Sequence, residues 1–393
     1  MTDTSFLEWP FLSKSHKDLY FKLEDWAENN LKDLDHNNVD NTCKLLVSKL
    51  GSAGFLNYSG ISEEHPKVDV RSLCLIRETL AKHDGLADFS FAMQGLGSMP
   101  ISLHGNLEQQ KFWLPKIQSG HAISAFALSE PRSGSDVANL ELMAKRERNG
   151  YVLNGEKTWI SNGGIADVYT VFARTGEGPG AKGLSAFIVP ANTPGLLIKE
   201  RIEAVSPHPL ATLSFENLFL DADAMIGQPG DGFKIAMASL DNMRSTVGAA
   251  ALGFARRAFQ ESVTRSKSRV LFGAPLGDLQ MIQGHLADMC VDIDASALLI
   301  YRAAWVKDSG AERITKEAAM AKLYATERAQ VVIDKAVQIH GGDGVRKGHI
   351  VESLYREIRA LRIYEGATDV QKIIIARNAL SSNEYEIISL IAH

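Results

Sequence analysis

Asn149-Gly150-Tyr151-Val152-Leu153-Asn154-Gly155 breaks the pattern that precedes it. Two Asn-Gly pairs bracket a short β-branched and aromatic run, which reads as a strand, and Asn149-Gly150 is expected to supply the positive φ angles of a tight hairpin. The same texture recurs nearby: Val168–Ala173, Leu184–Val189 and Thr212–Phe215 are strand candidates, and Ala125-Phe126-Ala127-Leu128 is another apolar strand. Upstream, from Phe21 to about Lys116, apolar residues fall at helical spacing, as in Tyr20, Leu23, Ala27 and Leu31 and again in Leu73, Ile76 and Leu80. After Gly230-Asp231-Gly232 the helical period returns, with Phe233, Met237, Leu240, Val247, Ala251 and Phe254 on one stripe. Further helical runs cover 278–306 and 314–340, the latter stopped by Gly341-Gly342, and a last one opens at Thr368. The order α, β, α predicts an α+β multidomain chain. Residues 1–118 form an N-terminal helical domain, 119–229 a middle β-barrel or sandwich domain, and 230–393 a C-terminal four-helix-bundle domain.

The bulk composition agrees with this division. At about 150 residues per domain, 393 residues suggest two or three, and 45% hydrophobic against 23% charged residues is enough apolar material for their cores. The net charge of −5 offers no basic field to a polyanion, which argues against a nucleic-acid partner. Cys43, Cys74 and Cys290 lie far apart without a CxxC pair, and buried free thiols in a reducing compartment are expected. No basic run precedes an apolar segment near the start, and no long uninterrupted apolar window occurs. A soluble cytoplasmic protein without membrane span or metal site is the expectation.

Two positions stand out chemically. Arg244 falls four residues after Leu240 and three before Val247, in the apolar phase of its helix, where a cation needs an anionic partner. A salt bridge with Asp241 and a bound anionic ligand both satisfy that need. Tyr364-Glu365-Gly366-Ala367 precedes Thr368-Asp369-Val370-Gln371, which has the form of a capping box, so Glu365 should sit in the turn before a helix N-terminus. There the helix dipole and the apolar surroundings pull its pKa in opposite directions, a setting suited to a base for a carbon acid. Ser129-Glu130-Pro131-Arg132-Ser133-Gly134-Ser135-Asp136, Trp159-Ile160-Ser161-Asn162-Gly163 and Gln338-Ile339-His340-Gly341-Gly342 have the look of ligand loops, and none fits a P-loop or dinucleotide fingerprint.

Taken together and in this order, these segments resemble the acyl-CoA dehydrogenase family from about residue 10 to about residue 380. The resemblance implies FAD, held by Phe126, Leu128, Ser129, Trp159 and Ser161 at the isoalloxazine, with Ser135 between flavin and CoA. Arg269, Phe272, Gln280, Gln338 and Gly342 would reach the adenine-diphosphate half of a neighbouring subunit's FAD, which implies a homotetramer or dimer. Asp241 and Arg244 would address the CoA portion, Tyr364 and Gly366 would line the substrate site, and Glu365 would be the catalytic base. The implied reaction forms a 2-enoyl-CoA in fatty acid or carboxylic acid catabolism, with an electron-transfer flavoprotein as acceptor. Phe89, Phe91, Ala92 and Gly95 would floor the acyl pocket.

The chain also departs from the family pattern. Val205-Ser206-Pro207-His208-Pro209-Leu210 replaces a turn that usually carries glycine, arginine and serine, and Ala367 stands where many relatives have a flavin-bonding threonine, so that either Thr368 substitutes or one cofactor hydrogen bond is missing. Members with the base on the long helix of the third domain carry an acid near Met243, which this chain lacks. Two other readings stay open: a flavin oxidase or monooxygenase on the same fold, and a non-catalytic flavin-binding assembly or protection protein.

Overall fold

The computed structural model describes residues 3–381, so the outermost residues of the first and last expected domains lie outside it. Five helices come first: α1 (Lys14–Asn30), α2 (Val39–Ser52), α3 (Val70–His83), α4 (Gly85–His104) and α5 (Leu107–Gln118). Leu23, Leu46, Leu73, Ile76 and Leu80 are fully buried, as their helical spacing predicts. Asp84 caps α4 by accepting from the Ala87 N–H at 3.0 Å.

Eight strands follow: β1 (Ser124–Ala127), β2 (Met143–Glu147), β3 (Gly150–Ser161), β4 (Val168–Arg174), β5 (Leu184–Pro190), β6 (Leu196–Ile202), β7 (Leu210–Asp221) and β8 (Met225–Ile226). They form one sheet in the order β6-β7-β3-β2-β4-β5-β8, with β1 paired in parallel to the start of β4. Because β2 meets β4 only at Met143 and Arg174, β4 joins two arms of the sheet. The β2–β3 hairpin differs from expectation. Its positive φ lies on Arg148 (53°) and not on Asn149 or Gly150, and Gly150 instead opens β3 opposite Glu147. A Cβ on Gly150 would lie 2.1 Å from the Leu220 carbonyl oxygen, so close strand packing requires this glycine. Strands β2 and β6 also went unforeseen, since their residues are mostly exposed: β2 has no apolar run, and Leu196-Leu197-Ile198 of β6 gives way to Lys199-Glu200-Arg201 without alternation.

The chain then returns to helix: α6 (Gly232–Ser268), a small hairpin of β9 (Val270–Leu271) and β10 (Ala274–Pro275), then α7 (Gln280–Asp308), α8 (Thr315–His340), α9 (Ile350–Leu361) and α10 (Thr368–Ser381). Helix α8 packs against α6, α7, α9 and α10, and α6 packs against α3 of the first group. Helical, sheet and helical regions therefore follow in the expected order. Cys43 and Cys74 are buried free thiols, but Cys290 is exposed because it faces outward from α7. No helix among the described residues is long and apolar enough to cross a membrane.

Three segments meet where the 205–210 loop enters β7. His208 stacks on Phe89 of α4 with ring centroids 4.4 Å apart, and its Nε2 lies 3.0 Å from a Glu357 carboxylate oxygen on α9. The two side chains form a buried ion pair. Burial works against the imidazolium, yet Glu357 outweighs it and raises the pKa of His208. Burial likewise works against the Glu357 carboxylate, and His208 outweighs it to lower that pKa. The contribution of His208 is thus complete below its ordinary 6.5 and fades as pH rises through the raised value. That of Glu357 is complete above 4.5 and fades as pH falls through the lowered one. Glu357→Gln strands a buried imidazolium and should destabilise the fold by about 3 kcal/mol near pH 6. The gap in thermal melting temperature between variant and parent is expected to narrow as pH rises past the His208 value.

Candidate active site

Residues 362–367 link α9 to α10, and their conformation is costly. Glu365 has φ 52° and Gly366 φ 96°, two successive left-handed residues. For a residue with a Cβ that region costs about 1–2 kcal/mol, so partners must hold it. The Gly366 carbonyl accepts from Lys322 Nζ of α8 at 2.7 Å and from Gln371 Nε2 of α10 at 3.0 Å. A Cβ on Gly366 would fall 2.2 Å from that Gln371 nitrogen. The capping box is not formed. Thr368 is already helical and gives its hydroxyl to Glu327 Oε1 at 2.6 Å, while Gln371 turns to the Gly366 carbonyl, whose need for donors is greater in a buried turn.

The turn presents a carboxylate that nothing satisfies. Both Glu365 oxygens are buried and without a hydrogen-bond partner. Burial raises the Glu365 pKa above the ordinary carboxylate value, the charges of Arg77, Lys322 and Arg244 hold the rise back, and Asp88 adds to it. Arg77 of α3 is fully buried and grips Asp88 of α4 through two bonds of 2.8 and 2.9 Å, with Thr246 of α6 taking a third at 3.1 Å. Lys322 is wholly enclosed; burial lowers its pKa to about 8 against the pull of Glu365.

Arg244 is buried and donates to Asp241 Oδ1 at 2.6 Å, the salt bridge its phase called for. Its Nε is nevertheless buried without a partner, and lies 4.0 Å from where a Cβ on Gly366 would be. The bridge uses one edge of the guanidinium and leaves another beside the turn. Arg77, Asp88 and Lys322 were not singled out from sequence. The signal that marked Arg244 marks the two cations as well, for Arg77 follows Leu73 by four residues and Lys322 follows Ala318 by four, both in apolar phases.

The proposed flavin loops gather on β1, β3 and the segment between β1 and β2. Phe126 packs on Phe172 at 4.9 Å, and Leu128 is buried. The Ser129 carbonyl accepts from the Thr158 N–H at 2.9 Å, which ties the first loop to β3. Beneath them Lys157, fully buried, donates to the Leu128 carbonyl at 2.9 Å and to Glu130 Oε1 at 2.7 Å, a buried pair also missed from sequence. The ladder between β3 and β7 slips between Lys157 and Ile160, and in that bulge Trp159 adopts φ 59° with 60% of its surface exposed. An indole held open in a left-handed bulge is strain of the kind that accompanies a ligand site. Ser161 ends β3, Ser135 is exposed on the loop, and together these groups fit a flat, hydrogen-bonding ring such as isoalloxazine.

A second group lies at the end of α8. A cavity of about 390 Å³ is lined by Arg265, Arg269, Gln338, Gly341, Gly342 and Asp343; Arg265 pairs with Asp343 at 2.9 Å, and its Nε is buried without a partner. Arginines with exposed glycine backbone suit a diphosphate. Phe272 and Gln280 do not line this cavity. Phe272, 94% exposed, sits at the tip of the β9–β10 hairpin, and Gln280 is exposed at the start of α7. Of the proposed pocket floor, Phe91 and Ala92 are fully buried, Phe89 faces His208, and Gly95 backs onto Met243, whose methyl lies 3.3 Å from an added Cβ.

Comparison with known proteins follows the same division. Family models described as the N-terminal, middle and C-terminal domains of acyl-CoA dehydrogenase match residues 13–121, 125–218 and 230–380. The human mitochondrial short-chain specific acyl-CoA dehydrogenase is 39% identical over 343 residues, 86% of this chain and 82% of that one. The structure of butyryl-CoA dehydrogenase from Megasphaera elsdenii superposes with a TM-score of 0.88 at 33% identity, covering 94% of this chain and 99% of its own. A glutaryl-CoA dehydrogenase from Mycobacterium smegmatis, in complex with FADH2, gives 0.87 at 27% identity, with 96% of each chain covered.

The geometry of the turn is testable without substrate. Gly366→Ala must adopt φ 96° and displace the Gln371 amide, so it should lose about 1–3 kcal/mol in denaturant unfolding. Gly134→Ala, with nothing within 4 Å of its added methyl, should change stability by less than about 0.5 kcal/mol.

Proposed function

The chain belongs to the acyl-CoA dehydrogenase family, and from that premise we propose that Glu365 is the base that removes the α-proton of an acyl-CoA thioester. The protein is an FAD-dependent oxidoreductase acting on acyl-CoA. What carries the assignment is the buried Glu365 carboxylate, ionisable and without a single hydrogen-bond partner. An orphaned carboxylate is costly to the fold and useful to a substrate that brings its own proton.

The surrounding charges suit the step. Arg77, Lys322 and Arg244 stand against Asp88, Asp241 and Glu365, three cations and three carboxylates. Once Glu365 takes a proton, one positive charge is left uncompensated, at the moment when negative charge develops on the thioester oxygen. Expulsion of water by the acyl chain raises the Glu365 pKa further and strengthens the base. Bound FAD supplies the acceptor for the β-hydride, so that the product is a 2-enoyl-CoA. Phe126, Leu128, Ser129, Trp159, Ser161 and Thr368 are the residues we assign to the flavin, and Tyr364, Gly366, Ser135, Asp241 and Arg244 those we assign to the acyl-CoA. We take an electron-transfer flavoprotein as the redox partner and the cytoplasm as the compartment. The negative net charge and the presence of Glu365 speak against the assembly-protein reading.

Two outcomes are expected. Glu365→Gln keeps shape and removes basicity, so it should bind FAD and acyl-CoA normally while flavin reduction, followed anaerobically by stopped flow, slows by at least ~10³-fold. A rate within tenfold of the parent would overturn the base assignment. Assembly is the second: Arg269 and Gln338 at a cavity, with Phe272 projecting beyond it, are assigned to a neighbour's cofactor, so light scattering should find a homotetramer or dimer. A monomer with one FAD per chain would refute that assignment.

A further inference from the structure

Proton abstraction as described uses Lys322 only as one of three nearby cations, yet it is the one most completely shut from water beside Glu365. It lies on α8 among buried Ala318, Ala321, Ala325 and Thr326, with none of its surface exposed. A buried ammonium is expensive unless it has acceptors, and the one it reaches is the Gly366 carbonyl at 2.7 Å. That carbonyl belongs to the left-handed turn, and both Glu365 oxygens lack hydrogen bonds of their own. The direction of the carboxylate is therefore set by the backbone of the turn, and the turn is set by Lys322 and Gln371.

We propose that Lys322 is the positioning residue for Glu365: its ammonium clamps the Gly366 carbonyl to fix the turn, and its charge keeps the neighbouring carboxylate ionised until substrate arrives. The proposal rests on Glu365 being the base. The charged groups that face Lys322 are Glu365 on the turn, Arg244 from α6 and Glu327 from its own helix; those that face Glu365 are also Arg77 from α3, Asp88 from α4 and the titratable Tyr364 next to it on the turn. Burial lowers Lys322 to about 8, against Glu365, which raises it, and with Arg244, which lowers it again. As pH rises through that value the ammonium becomes an amine that still donates to the carbonyl but no longer balances the carboxylate. Protonation of Glu365, whose pKa burial raises, closes the acid side. The profile of kcat/KM should be bell-shaped, with its alkaline limb belonging to Lys322.

The test compares FAD-loaded Lys322→Met, Lys322→Gln and Glu365→Gln with the parent. Flavin reduction by acyl-CoA is followed across the pH range, and exchange of the substrate α-proton with D2O is followed by mass spectrometry, which reads the base apart from the hydride. Lys322→Met should slow both by about 10- to 100-fold at neutral pH and remove the alkaline limb, with FAD content and melting temperature little changed. Lys322→Gln should recover part of the neutral rate, by keeping a donor, and still lack the limb. An unmoved alkaline limb in either variant overturns the proposal; so does a Lys322→Met that loses FAD and fold while Lys322→Gln behaves as the parent. If Lys322→Met does not fold, Lys322→Gln decides alone. Glu365→Gln separates the two assignments: a parental rate there removes the base, whereas an inert Glu365→Gln beside a parental Lys322→Met removes only the lysine.

Discussion

A buried carboxylate without a hydrogen bond, that of Glu365, is the constraint on which the packing of three helices around it depends. Left alone in an apolar core, a carboxylate such as Glu365 is driven toward its protonated form. Three cations arriving from α3, α6 and α8 lower that tendency without forming a hydrogen bond to it. Cations so placed need anchoring of their own, which Asp88, Asp241 and the Gly366 carbonyl provide. The site is thus a small lattice of charges in which Glu365 alone has no fixed bond.

That lattice also explains how the two helical groups are joined. Arg77 and Glu78 are neighbours on α3, and both reach across to the later helices: Arg77 to Thr246, Glu78 to Arg256 at 2.6 Å and to the Tyr301 hydroxyl at 2.5 Å. Gly253 of α6 lets the helices close, since a Cβ there would lie 2.2 Å from the Glu78 carbonyl oxygen. Breaking such a buried pair is severe, because the surviving partner is left charged and unsolvated. The cation that grips Asp88 beside the active site is therefore held on the same helix that cross-links the domains.

The order of helix and sheet was legible in the sequence because it depends on local period, and Leu73, Ile76, Val247 and Phe254 are buried as their spacing requires. The place of Glu365 in a turn just ahead of the last helix was legible as well. What escaped was decided by tertiary contact. Strand β6 is an outer strand in which Leu196-Leu197-Ile198 passes straight into Lys199-Glu200-Arg201, so no apolar alternation announced it. Thr368 and Gln371 spell a capping box, but the nearby Glu327 and the buried Gly366 carbonyl drew both side chains away. Lys157, with Glu130, and Lys322 are lysines in buried positions, and only their distant partners distinguish them from solvated ones.

Burying lysines and arginines in this way is a poor route to stability, since apolar residues of similar volume would pack the same helices at no desolvation cost. Helix α8 makes the point well. Around Lys322 it is lined by alanines, small enough to bring α6 close, and a leucine or methionine there would suit the packing better than an ammonium. The charge is retained where its loss would leave the Gly366 carbonyl with Gln371 alone and Glu365 with one counter-charge fewer. The lysine at this position is therefore better accounted for by its two partners, the Gly366 carbonyl and the Glu365 carboxylate, than by the packing of α8.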